Sequence, residues 1–166
     1  MWPSLLAAAA TVWLILLVGA PYLPGYAAAV LYAVGSFVCH QIPERSFHLA
    51  GFQLPVCARC LGLYAGVSIG AAGRLWLSAR TGPLGRAVAT TQNARRLAVL
   101  AALPTLLTWL LEVAGLWAPS NLTRALAALP LGGVVGLVVA GALATVHYGE
   151  CVPPQPIAPN PPPPSI

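Results

Sequence analysis

The sequence predicts an all-α fold, a polytopic transmembrane helical bundle of about five membrane-spanning helices, or four if the first two form a re-entrant pair. Composition is the first reason: 58% of the residues are hydrophobic and 7% charged, which cannot furnish a polar shell around a soluble core. The second is that apolar segments recur from Leu5 to His147 with no long polar linker between them, so residues 1–148 read as a single transmembrane domain. The third is the chemistry of the breaks, which are rich in proline, glycine and arginine.

Leu5 to Ala20 reads as a helix of about 24 Å, slightly short for a hydrocarbon core of about 30 Å. Met1-Trp2-Pro3-Ser4 lacks the basic start of a secretory signal, although Gly19-Ala20 would suit a cleavage site. Pro21-Tyr22-Leu23-Pro24-Gly25 forms a tight break. A second short helix follows from about Tyr26 to Val38. The third is expected to start near Pro55, suited to a first helical turn, and to run to about Leu77. Within it Gly62, Gly66 and Gly70 place small residues on one face, where a partner helix or a second copy of the chain can approach closely. Ser78 to Arg96 reads as a basic loop. Leu97 to Trp117 has the length for a clean span of about 31 Å. After Ala118-Pro119-Ser120-Asn121 a last helix is expected from about Thr123 to His147, with kinks at Pro130 and Gly132-Gly133. His147 and Tyr148 would mark the membrane boundary. Residues 149–166 read as a disordered proline-rich tail carrying a lone Cys151, since eight prolines lie between Pro153 and Pro164.

Basic charge resides entirely in eight arginines, against three glutamates. They are scattered among apolar helices without interleaved aromatic stripes, so no nucleic-acid partner is indicated, and the lipid bilayer is the expected environment. Arg74, Arg80, Arg86, Arg95 and Arg96 cluster around one loop, against Arg45, Arg59 and Arg124 on the other side. By the positive-inside rule the five-arginine loop is cytoplasmic. Five crossings would then put the N-terminus outside and the proline-rich tail in the cytoplasm.

Three of the four cysteines lie in Cys39-His40-Gln41 and Cys57-Ala58-Arg59-Cys60, with seventeen residues between Cys39 and Cys57. Three chemistries suit them. Cys39, His40, Cys57 and Cys60 can supply a zinc-type set for a transition metal; adjacent residues rarely face one ion, so His48 or water is an alternative fourth ligand. Cys57 and Cys60 can instead be a thiol-disulfide pair, activated by a helix N-terminus and by Arg59, as in membrane bundles that pass electrons from thiols to quinone. Or the cysteines form a structural disulfide, natural on an oxidising face. Whether the chain is an enzyme stays open, and a small transport or accessory subunit is a further reading.

The Cys39–Cys60 segment and the Ser120-Asn121 turn are two crossings apart and therefore share a membrane face. Glu112 lies roughly 7 to 8 Å below that face, so Glu44, Arg45, Arg59, Glu112, Asn121 and Arg124 can converge with the cysteines. An intramembrane carboxylate needs a cation, with Arg59 or Arg124 as candidates. Arg45, Arg59 and the Ser46 hydroxyl could receive an anionic headgroup or a small oxyanion. No nucleophile elbow, H-E-x-x-H or phosphate-cradling glycine loop points to a hydrolase.

Cys39-His40-Gln41-x-Pro43-Glu44-Arg45-Ser46-Phe47, followed by Cys57-x-Arg59-Cys60-x-Gly62-x-Tyr64-x-Gly66, resembles the small bacterial integral membrane proteins of the domain of unknown function 2085 family. Ser120-Asn121-x-x-Arg124 and Gly132 are similar to that family's second motif. Thr108-Trp109 and Glu112 stand where an Asp-Gly and a Gln are more usual. The resemblance implies a helical membrane protein of the bacterial inner membrane and groups the polar residues, without carrying over an activity or cofactor.

Overall fold

The computed structural model describes the backbone of residues 2–81 and 91–151, with side chains over 2–77 and 93–144. Five helices and one β-hairpin follow in the order α1 (Trp2–Gly19), α2 (Gly25–Val38), β1 (Ser46–Leu49), β2 (Phe52–Cys57), α3 (Ala58–Thr81), α4 (Thr91–Val113) and α5 (Asn121–Cys151), with short 3₁₀ turns at Ala20–Tyr22 and Pro43–Arg45. The protein is an all-α polytopic membrane protein. Four stretches have the length and apolarity to cross a bilayer: Trp2–Tyr22, Ala58–Leu77, Asn93–Val113 and Asn121–Ala144. Outward-facing Leu97, Leu100, Leu103, Leu107 and Leu110 on α4 are exposed, a cost in water and ordinary against lipid.

The second helix is too short to stand among those four. At 14 residues it spans about 21 Å, and both of its ends stay near the hairpin. It begins just past the end of α1, and Cys39, which caps its far end, packs with Leu17 and Val56. Tyr32 donates a hydrogen bond to the Gln53 carbonyl, and Gly35 lies so close to the Pro55 carbonyl that a Cβ there would overlap it. Counting four crossings, the start of α1 and the far end of α5 lie at one end of the bundle, opposite the hairpin. Ala7, Ala71 and Ala140 pack together toward that end, and Trp13 meets Tyr64 edge to face at 6.3 Å nearer the hairpin. The expectation of an external N-terminus counted α2 as a fifth crossing, and α2 is shorter than the four candidate spans.

Around α3 the packing is set by glycine. A Cβ at Gly62 would overlap the Ala125 backbone, one at Gly66 the Leu129 carbonyl, and one at Gly70 the Gly133 carbonyl; Gly132 and Gly136 on α5 meet Leu63 and Val67 in the same way. The two helices run parallel with their backbones in van der Waals contact, gaining dispersion that larger side chains would forbid. The glycine face expected to take a partner is thus covered by α5 of the same chain. Gly66→Leu is expected to pry α3 from α5 and lower the melting temperature in detergent, with a cost of at least about 1–3 kcal/mol for overpacking. Gly73→Ala, where nothing lies within 4 Å of the added methyl, should hold the melt or raise it slightly, since Ala is the better helix former; equal melts for the two variants would refute this packing.

Several boundaries differ from expectation for local reasons. Pro55 and Cys57 belong to strand β2, not to the start of α3. Ala50 (φ 51°) and Gly51 (φ 83°) make a two-residue turn with both central residues left-handed, the geometry that matches strand twist. β1 and β2 pair antiparallel through Leu49 and Phe52, His48 and Gln53, and Ser46 and Cys57, with an irregularity between Ser46 and His48. Much of the expected basic loop is helical, since α3 continues to Thr81 and α4 starts at Thr91; its centre, including Arg86, lies outside the described residues. α4 ends at Val113 rather than Trp117, where Gly115 (φ 68°) turns the chain out. α5 starts at Asn121 because the Ser120 hydroxyl accepts from the Thr123 amide at 3.2 Å, capping the helix. It runs on through Cys151, past the expected boundary at 148. The remaining tail, 152–166, and the side chains of His147, Tyr148 and Cys151 lie outside the described residues.

Candidate thiol and arginine site

The hairpin end of the bundle carries two clusters that share one cavity. Cys39 closes α2, Cys57 ends β2 and Cys60 opens α3, so three separate elements bring three sulfurs to one place. Their Sγ atoms all lie within 4.8 Å of one another, and all three are free thiols. Cys39 is buried, and its sulfur accepts a hydrogen bond from the Cys57 amide at 3.1 Å. The Cys57 thiol is pulled down to about 5, first by the hydrogen bond it receives from Cys60, against the opposing effect of burial, and further by the Cys60 and Arg59 amides and by Cys39. Those two amides open α3, so the expected effect of a helix N-terminus is present. Arg59 contributes through its backbone, because its guanidinium is committed elsewhere.

His40 is exposed and stays outside the sulfur group, although it lines the cavity. Cys39 is extended (φ −145°, ψ 136°), so successive side chains point to opposite sides and His40 turns away from its neighbour's sulfur; the backbone then reverses at Gln41, whose φ of 51° is unfavourable for a non-glycine residue. The Gln41 side chain holds that reversal by donating to the carbonyls of Tyr32 and Pro55, each at 2.8 Å. His48, the alternative ligand, is exposed on β1 and paired with Gln53, also outside the group.

The second cluster centres on Glu112, whose side chain is 9% exposed. Its Oε2 accepts a hydrogen bond from Arg59 at 2.7 Å and its Oε1 one from Arg124 at 2.8 Å, while Arg45 Nε stands 3.1 Å from Oε1 as an ion pair. Both candidate cations are therefore used, and Arg45 is a third that sequence reasoning assigned only to an anion. Arg124 also donates to Asn121 Oδ1 at 2.8 Å, and Asn121 Nδ2 donates to the Ser46 carbonyl at 2.9 Å. Glu44 is exposed in its turn and takes no part in these contacts.

The Ser46 hydroxyl, expected to receive an anion, is instead committed inside the fold, and its partner Gln53 carries no marking in the sequence. Ser46 is fully buried; its hydroxyl donates to the Ile42 carbonyl at 2.9 Å and accepts from Gln53 Nε2 at 3.2 Å. Gln53 Nε2 also donates to the Gln41 carbonyl. The only sequence signal was the alternation of Phe52 to Val56, and Pro55 masked it by suiting a helix start equally well. Between the clusters opens a cavity of about 360 Å³, whose wall includes all three cysteines and Arg45, Arg59 and Arg124.

A family of predicted membrane proteins, the domain of unknown function 2085, matches residues 39–138, a stretch that contains both clusters. An uncharacterized protein of Methanothermobacter thermautotrophicus is 34% identical over 103 residues, covering 62% of this chain and 83% of that protein. An uncharacterized protein of Methanocaldococcus jannaschii is 58% identical over 40 residues, 24% of this chain and 26% of the relative, so the match spans about a quarter of that protein's length. Both relatives are archaeal, and the expected restriction to bacteria has no support from them. No solved structure matches. With its double cysteine motif and the Ser120 to Arg124 segment inside the matched region, the chain belongs to the domain of unknown function 2085 family of membrane proteins.

Proposed function

We propose that the chain is a metal-binding membrane protein in which Cys39, Cys57 and Cys60 hold one soft transition ion, zinc by preference, at the outer face of a bacterial or archaeal cytoplasmic membrane. The observation that carries this reading is the mutual approach of three unbonded sulfurs within 4.8 Å. Tetrahedral zinc–thiolate bonds of about 2.3 Å need sulfurs roughly 3.8 Å apart, a small adjustment from this arrangement. A disulfide would need one pair at about 2 Å. The fourth position is left to water or to a group entering from the cavity, with His40 the nearest imidazole in sequence. Zinc binding would ionise the thiols and fasten α2, the hairpin and α3 together.

The outward orientation is supported by the arginines. Arg74, Arg95 and Arg96 are placed toward the end opposite the hairpin, with Arg80 and Arg86 in the same stretch of chain. The positive-inside rule assigns that end to the cytoplasm. With four crossings the N-terminus and the far end of α5 are then cytoplasmic as well.

A second reading is favoured by the depressed Cys57 thiol, which suits a thiol-disulfide centre with Cys60 as its partner. Elemental analysis of the purified full-length protein separates the two. The metal reading expects about one zinc per chain, lost in Cys57→Ser and in Cys60→Ser, with thiols that resist alkylation until a chelator is added. Protein that carries no zinc after exposure to it, and whose Cys57 and Cys60 cycle reversibly in a redox buffer, would overturn the metal reading in favour of the second.

A further inference from the structure

The arginine cluster has more positive charge and more donors than its carboxylate can answer. Three guanidiniums meet one Glu112, a local excess of two positive charges. A Cys57 thiolate, or one zinc ion held by three thiolates, each contributes a net charge of −1 in the same cavity wall. With either of them present one guanidinium remains unbalanced, and with neither present two do. The donor count points the same way. Arg59 and Arg124 each keep a buried Nε–H with no acceptor among the described residues, although Arg124 is only 8% exposed. A buried charged donor left unanswered loses its hydration without gaining a partner, which destabilises the fold until an acceptor arrives. Arg45 meets Glu112 through its Nε as an ion pair, makes no side-chain hydrogen bond to another described residue, and lines the cavity with a side chain 45% exposed, so its terminal nitrogens are open to an entering acceptor.

We propose that this cavity is an anion site that binds a phosphate-type oxyanion, as free phosphate or as the phosphate of an anionic lipid, on Arg45 together with Arg59 and Arg124. A tetrahedral oxyanion matches the deficit because it brings both negative charge and several acceptor oxygens in a compact volume, and guanidinium is the side chain best shaped to receive it. The cavity volume of about 360 Å³ accommodates a phosphate group with its first waters. Val38 and Ile42 on the same wall are apolar and exposed, which would let the acyl end of a lipid leave toward the bilayer. Arg45 is the recruiting residue, since Arg59 and Arg124 are largely consumed in fixing Glu112 and Asn121. The site does not depend on the metal reading, because the unbalanced guanidinium persists with or without zinc.

The test uses full-length protein in a neutral detergent, in zinc-loaded and chelator-treated forms. Inorganic phosphate is titrated by calorimetry, and in parallel the protein is placed in nanodiscs of phosphatidylcholine with a minor fraction of phosphatidic acid and its retained lipid is measured by native mass spectrometry. One saturable phosphate per chain, weakened about tenfold or more in Arg45→Gln and unchanged in Arg95→Gln at the opposite end, is the expected result for free phosphate. Retention of phosphatidic acid that Arg45→Gln abolishes, without calorimetric binding, assigns the site to a headgroup. Saturable phosphate binding by a native chain that takes up no zinc would sink the metal reading alone. No saturable binding of either probe, or equal binding by Arg45→Gln and the native chain, overturns the anion site.

Discussion

Glu112→Gln is expected to be the most damaging single substitution in the protein, with a loss of about 3–5 kcal/mol, the range for breaking a buried ion pair by removing one partner. The substitution keeps the shape of the side chain and removes its charge. The amide oxygen can still accept from Arg124, with Arg45 beside it, but the amide nitrogen then faces Arg59, which donates to Oε2 at 2.7 Å. Three guanidiniums would be left at a membrane boundary without a counter-charge. Two comparisons isolate the cause. Arg45→Gln removes a half-exposed partner and should cost less than about 1 kcal/mol, as surface pairs do. Glu112→Asp keeps the charge on a shorter arm and should recover part of the loss. The order to look for in melting temperature and in monodisperse yield is native, Arg45→Gln, Glu112→Asp, Glu112→Gln. A Glu112→Gln protein that melts with the native one would show that the cluster contributes nothing to the fold.

In metal-free protein Cys57 should alkylate as a thiolate at a pH where ordinary cysteines are inert. With its thiol pulled down to about 5, the iodoacetamide rate should rise to half its plateau near that pH. A model thiol of about 8.5 is below roughly 1% thiolate at pH 6. Mapping the modified residue at pH 6 should find Cys57, and zinc should protect it. A rate profile whose midpoint lies above about pH 8 would contradict the arrangement of Cys60 and the α3 amides around this sulfur. The same perturbation acts on stability. Because the folded value lies below the unfolded one, the unfolded chain binds more protons between about pH 5 and 8.5. The contribution is fully present above the unfolded value and is lost as pH falls toward and through the folded one.

Hydrophobicity made the membrane fold legible, and topology made the shared face legible, because two crossings had to return Glu112 and Asn121 to the side of the cysteines. The spacing of Gly62, Gly66 and Gly70 disclosed a close-packed face but not that α5 fills it, since glycine spacing records distance of approach and not the identity of the neighbour. The hairpin was hidden. Its turn uses Ala50 and Gly51 rather than a strong turn pair such as Asn-Gly, and Pro55 suits a helix start as well as a strand lacking one ladder donor. Missing the hairpin hid Arg45's partner, for it is the 3₁₀ turn and β1 that bring Arg45 over the membrane end of α4. His40 was drawn into the metal set by adjacency to Cys39. The extended backbone at Cys39 undid that by sending the two side chains to opposite sides, and the local backbone state at the end of a helix leaves no mark in sequence.

The hydrogen bond from Asn121 to the Ser46 carbonyl joins residues that leave the ribosome far apart in time. Arg45 and Arg59 emerge long before Glu112, so during synthesis their charges are held by water and lipid phosphates at the membrane surface. The ring of ion pairs can close only after α4 has crossed and α5 has begun to insert beside α3. Completion of the last two helices thereby becomes the event that seals the cavity, and a chain truncated before Asn121 would carry its cysteines and arginines without the chamber that gives them a common purpose.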